Sequence, residues 1–129
     1  GDTKKLFDIN KELSPDEPHV RATFIYSMLK PYLELFPKEN FSLTPIERLN
    51  ADPSSNMAKI FSFLEVDTEI PLDFEKNPTN HRKLDNTHLV PINEDSKRLI
   101  IGWCEEELKM LSELTGINLT EFWNLKKYC

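Results

Sequence analysis

The segment TNHRKLDNTH, residues 79–88, gathers His81, Arg82, Lys83 and His88 into the densest cationic spot of the chain. Such a cluster suits a phosphate, because charge-assisted hydrogen bonds are strong and a guanidinium grips two oxygens at once. The same residues also fit a solvated basic turn, and spacing alone leaves both readings open. Other chemistries find less support. His19, His81 and His88 form no metal pattern, and neither cysteine stands at zinc spacing. DTEIPLDFE, residues 67–75, collects Asp67, Glu69, Asp73 and Glu75 but lacks the central glycine and terminal glutamate spacing of a calcium loop, so it reads as a solvated acidic loop. Cys104 with His81 or His88 would make a thiol–base pair, and no motif supports one. The sequence therefore assigns no metal site and no catalytic residue.

Bulk properties bound the partners. The 129 residues amount to one domain, with 39% hydrophobic and 29% charged side chains, an ordinary globular composition. Net charge is −6 and the basic residues are otherwise scattered. Nucleic acid and anionic membrane surfaces need clustered Lys and Arg, so neither is expected as a partner. No apolar run reaches the roughly 18 residues of a membrane span, and GDTKKLFDINKEL has no stretch resembling a signal peptide, so no membrane insertion is expected. Two glycosylation sequons, NFS at Asn40 and NLT at Asn118, are too common a pattern to fix the compartment, which stays open between cytosol and secretory lumen. Cys104 falls inside a predicted helix as a buried structural thiol. A Cys104–Cys129 bridge that ties down the tail is the alternative.

These side chains must be positioned by the elements around them. Residues 1–15 read as an irregular lead-in, and residues 16–129 as a single helix-rich domain. Ser14 and Asp16 offer caps to a helix whose face is Val20, Phe24, Met28, Tyr32 and Leu35, with Pro31 either kinking it or starting a second one. NFSLTP, residues 40–45, is the best strand candidate. IERLNA gives a helical turn, and Asp52-Pro53 then opens a helix with Met57, Ile60, Phe61 and Leu64 on one stripe. Residues 67–92 carry Pro71, Pro78 and Pro91 and no sustained period, which predicts a long functional or packed loop. Asn93 caps a last helix with Leu99, Ile100, Trp103, Cys104, Leu108, Leu111 and Leu114 inward, and Gly116 stops it. Gly102, mid-helix, would mark close approach of another backbone. Phe24, Tyr32, Phe36, Phe61, Phe63 and Trp103 read as core aromatics. The fold class is therefore mostly α with one or two short strands. A lone strand has backbone groups that must pair elsewhere, so the chain reads as part of a larger α/β body.

The order Phe36-Pro37, strand, Glu47-Arg48-Leu49, Asp52-Pro53 and a helix closing on Phe63-Leu64-Glu65 resembles the C-terminal half of sulfotransferases that use 3′-phosphoadenosine 5′-phosphosulfate. The family's usual glycine after Phe-Leu is Glu65 here. The closing RLIIGWCEEELKMLSELTGINLTEFW is similar to the family's last helix, and the resemblance runs from about residue 20 to residue 123.

The resemblance implies the C-terminal portion of an α/β P-loop-like fold and a sulfuryl transfer from that nucleotide to a hydroxyl or amine. It implies that the loop over 67–92 covers the nucleotide, with His81, Arg82 and Lys83 as its binding residues. Only Gly1, Gly102 and Gly116 occur, so no glycine-rich phosphosulfate loop is present, and the family's 3′-phosphate ligands and catalytic base have no counterpart here. An N-terminal half of the same fold, or a partner protein, is expected to supply them. The alternative is a non-catalytic helical protein-interaction module.

Overall fold

The computed structural model describes residues 7–72 and 90–129. It is mostly helical: α1 Pro18–Arg21, α2 Ile25–Leu35, α3 Ile46–Ala51, α4 Pro53–Phe63, α5 Glu94–Trp103, α6 Glu105–Thr115 and α7 Leu119–Phe122, with single 3-10 turns at Ile9–Lys11, Lys38–Asn40 and Lys126–Tyr128. The chain divides into two compact units. One combines Gly1–Leu35 with Asp85–Cys129, and the other is Phe36–Leu84.

In the first unit α2, α5 and α7 pack on α6. Cys104, Leu108, Leu111 and Leu119 are the buried centre, and Phe24, Tyr26, Leu29 and Ile101 close around them. Leu119 is 1% exposed and Val20 2%, the most completely buried large side chains described. The apolar face of α2 is rotated from the phase that periodicity predicts. Met28, Tyr32 and Leu35 point to solvent at 53, 58 and 77% exposure, while Tyr26 and Leu29 turn inward. The reason is a break at residues 22–24. Thr23 Oγ1 donates to the Val20 carbonyl at 2.6 Å, and α2 restarts at Ile25. Pro31 then sits inside α2 without ending it. The cap of α1 is Glu17, whose carboxylate accepts from the Val20 N–H at 2.9 Å, while Ser14 Oγ accepts only from the Asp16 N–H.

The predicted last helix is two helices. At Cys104 (φ −87°, ψ 0°) the backbone N–H is shared between the Ile100 and Ile101 carbonyls, and α6 starts at the next residue. A ψ near zero leaves the helical well and turns the chain. Of the residues expected inward, Ile100, Cys104, Leu108, Leu111 and Leu114 belong to the core together with Ile101, while Leu99 is 51% exposed. Space around Gly102 is open, with nothing within 4 Å of where a Cβ would stand, so no close backbone approach explains it. Both expected caps are present. Asn93 Oδ1 accepts from the Ser96 N–H at 2.8 Å, and Gly116, at φ 71°, terminates α6.

In the second unit α3 packs on α4. Asp52 caps α4 by accepting from the Ser55 N–H at 3.1 Å, with Pro53 at the first helical position. Asn56, 9% exposed, donates through Nδ2 to the Arg48 and Asp52 carbonyls at 3.0 and 2.8 Å. Each of these carbonyls also accepts a backbone N–H, from Asp52 and Asn56 respectively, so the amide is a second donor that joins α3 to α4. Met57, Ile60 and Phe61 are half-buried, whereas Leu64 and the expected core aromatics Phe36 and Phe63 are exposed.

The strand predicted at residues 40–45 is corrected. Asn40 closes a 3-10 turn, Phe41 and Pro45 are extended, and residues 41–45 join no ladder. No strand occurs among the described residues. A strand exists only where another accepts its N–H and C=O groups, and β-prone residues alone do not supply that neighbour.

Candidate functional site

His81, Arg82 and Lys83 lie outside the described residues, as does His88. What the structure does describe is how the chain is held just after that segment. Asn10 presents both ends of its amide to the backbone ahead of α5: Nδ2 donates to the Pro91 carbonyl, and Oδ1 accepts from the Asn93 N–H, each at 2.9 Å. Asp8 Oδ1 fixes Asn10 by accepting from its backbone N–H at 3.0 Å and from Nδ2 at 2.9 Å. Asn93 in turn caps α5 through Ser96, which is 3% exposed. Residues 8–11 of the lead-in thus anchor the start of α5. No sequence pattern signals this, because the partners stand 81 and 83 residues apart.

The first unit also contains an open groove of about 320 Å³, lined by Thr23, Ile101, Cys104, Glu107, Leu108 and Trp123 among others. Its polar groups are already engaged. Thr23 gives its only hydroxyl proton to Val20, so in the 3.2 Å contact between Thr23 Oγ1 and Cys104 Sγ the thiol is the donor. Burial pushes the Cys104 thiol above its ordinary range, and the nearby Glu107 carboxylate adds to this. A protonated thiol is a poor nucleophile. Both cysteines are free, with Cys104 buried and Cys129 exposed, so the bridge between them is not formed.

Glu107 reaches across from α6 to the first turn of α2. One carboxylate oxygen accepts from the Ser27 N–H at 2.9 Å and the other from the Ser27 hydroxyl. An anion there satisfies a free N–H and lies at the positive end of the helix. Nothing in the acidic run Glu105, Glu106, Glu107 signals this cap, because its partner stands 80 residues away.

Glu17 has a comparable role. Burial raises its carboxyl, but the His19 ring 2.8 Å away and the Val20 N–H together outweigh this and hold it below the ordinary carboxylate range. These carboxylates fasten helices. Among the described residues no group of three or more His, Cys, Asp or Glu could hold a metal ion, and no helix is long and apolar enough to cross a membrane.

The matched family is consistent with this helical scaffold. The sulfotransferase domain family matches residues 18–116, from the first residues of α1 to the glycine that ends α6, and the chain belongs to it. No curated protein and no solved structure matches the chain.

Proposed function

We propose that this chain is the C-terminal portion of a P-loop-like sulfotransferase. In that reading it takes part in moving a sulfuryl group from 3′-phosphoadenosine 5′-phosphosulfate to a hydroxyl or amine acceptor. The observation that carries the reading is the family match over residues 18–116. His81, Arg82 and Lys83 contact the nucleotide phosphates, as cations suited to charge-assisted and bidentate hydrogen bonds. The Asp8–Asn10 clamp sets where the chain re-enters α5 after them. The chain's other contribution is scaffold. The phosphate-gripping loop and the base come from an N-terminal part of the same fold or from a partner protein, and the chain is inactive without them. Positioning and charge stabilisation are what such a site must supply to an in-line transfer.

A specific observation supports a protein surface on this scaffold. Met28, Tyr32 and Leu35 recur along α2 at helical spacing and are more than half exposed. This fits packing against further protein of the same fold, and equally the alternative of a non-catalytic interaction module.

Calorimetric titration of 3′,5′-adenosine bisphosphate separates the readings, using the chain together with its upstream coding sequence. Saturable heat that Arg82→Ala and Lys83→Ala weaken about tenfold or more supports the enzyme reading, since each removes a charged hydrogen bond of about 1.5–3 kcal/mol. Binding unaffected by either substitution removes the site assignment. Absence of binding leaves the interaction module.

A further inference from the structure

We propose that Asn40 and Asn118 are acceptors for N-linked oligosaccharide. Each opens an Asn-x-Ser/Thr sequon, Asn40-Phe41-Ser42 and Asn118-Leu119-Thr120. A third stretch with the same spacing, Asn77-Pro78-Thr79, is disqualified by its proline.

The structure decides whether a folded chain tolerates the modification, and the asparagines divide into two kinds. Asn10 and Asn56 spend Nδ2 on backbone carbonyls, at Pro91 for Asn10 and at Arg48 and Asp52 for Asn56. A sugar on either nitrogen would break those contacts. Both sequon asparagines are exposed, and Nδ2 of neither makes a hydrogen bond among the described residues. Asn118 uses only its oxygen, which accepts from the Glu121 N–H at 3.3 Å to cap α7. A glycosyl amide keeps its carbonyl oxygen, so this cap survives attachment. Asn40 closes a 3-10 turn before extended Phe41, an accessible position on the second unit.

The co-reactant is a lipid-linked oligosaccharide diphosphate. Nδ2 attacks the first sugar's C1 and loses a proton as the N–C1 bond forms. The bond from C1 to phosphate oxygen breaks, and the lipid diphosphate leaves with the electron pair.

The test is to pass the full chain through the endoplasmic reticulum of cultured animal cells behind a cleavable leader. The purified product is then digested with peptide-N-glycosidase in ¹⁸O water. The expected result is slow electrophoretic mobility that digestion abolishes, with labelled aspartate at positions 40 and 118. Ser42→Ala and Thr120→Ala should each remove one glycan while leaving the asparagine, and in the second case the Asn118 cap, in place. Transfer occurs on the nascent chain, so a variant that folds poorly still reports it. Unlabelled asparagine at either position overturns the assignment there. A mobility shift that persists in the doubly substituted chain overturns the chemistry.

Discussion

Glu65 is the residue whose replacement is most informative. It follows α4 in the left-handed region at φ 58°. The hydrogen bonds around it define a Schellman end: the Val66 N–H donates to the Phe61 carbonyl at 3.0 Å and the Glu65 N–H to Ser62 at 3.1 Å. The geometry therefore requires positive φ at residue 65 whatever its side chain. Two other helices of this protein end in the same region, α6 with Gly116 at φ 71° and α7 with Asn124 at φ 53°. Glycine has no Cβ to clash and asparagine tolerates the region, but a glutamate there costs about 1–2 kcal/mol. Glu65→Gly relieves that cost while adding roughly 0.5–1 kcal/mol of unfolded-chain freedom. The balance is a stabilisation of about 0.5–1 kcal/mol. Hydrogen exchange of α4 amides, read by mass spectrometry, should slow about two- to fivefold where exchange proceeds through unfolding of that helix. The assay must be local, because both tryptophans, Trp103 and Trp123, belong to the other unit and leave α4 without a fluorescent reporter. Gly116→Ala is the counterpart, forcing a Cβ into φ 71° and destabilising α6. Faster α4 exchange in Glu65→Gly would refute the claim that backbone conformation, and not the glutamate side chain, governs this helix end.

Leu119→Ala should destabilise the first unit by about 2–5 kcal/mol, because Leu119 is 1% exposed and its loss leaves a cavity beside Leu108 and Leu111; tryptophan fluorescence through a urea titration measures it. Lys97 at 2.7 Å from Glu94, and Lys126 beside Glu121, hold both carboxyls below their ordinary 4.5 by hydrogen bonding first. Their contribution is present above that value and lost as pH falls through the lower folded pKa values, so thermal midpoints should drop on acidification below 4.5, less steeply in Glu121→Gln and at high salt. With a thiol reagent at pH 8, Cys129 should react promptly and Cys104 only on unfolding, since burial keeps its proton on; two equivalents of fast labelling in the native chain would contradict the buried assignment.

Local chemistry made several features legible in the sequence. Asp52-Pro53, Asn93 and Gly116 act within a few residues of themselves, and each delimits a helix where its type predicts. The family likewise followed from residue order, from Phe36-Pro37 through Asp52-Pro53 to the closing helix, and the match over residues 18–116 agrees. Tertiary structure decided what depends on distant partners. Glu107 caps α2 across 80 residues, and Asn10 fixes the entry to α5 across 83. The break at Thr23 sets which apolar residues of α2 turn inward, so Leu29 is covered while Met28 is not. A helical repeat specifies the angle between side chains on one helix, but a short break resets that angle for everything after it. Residues 40–45 illustrate the same limit from the other side: their composition favours a strand, and only a neighbouring strand can make them one.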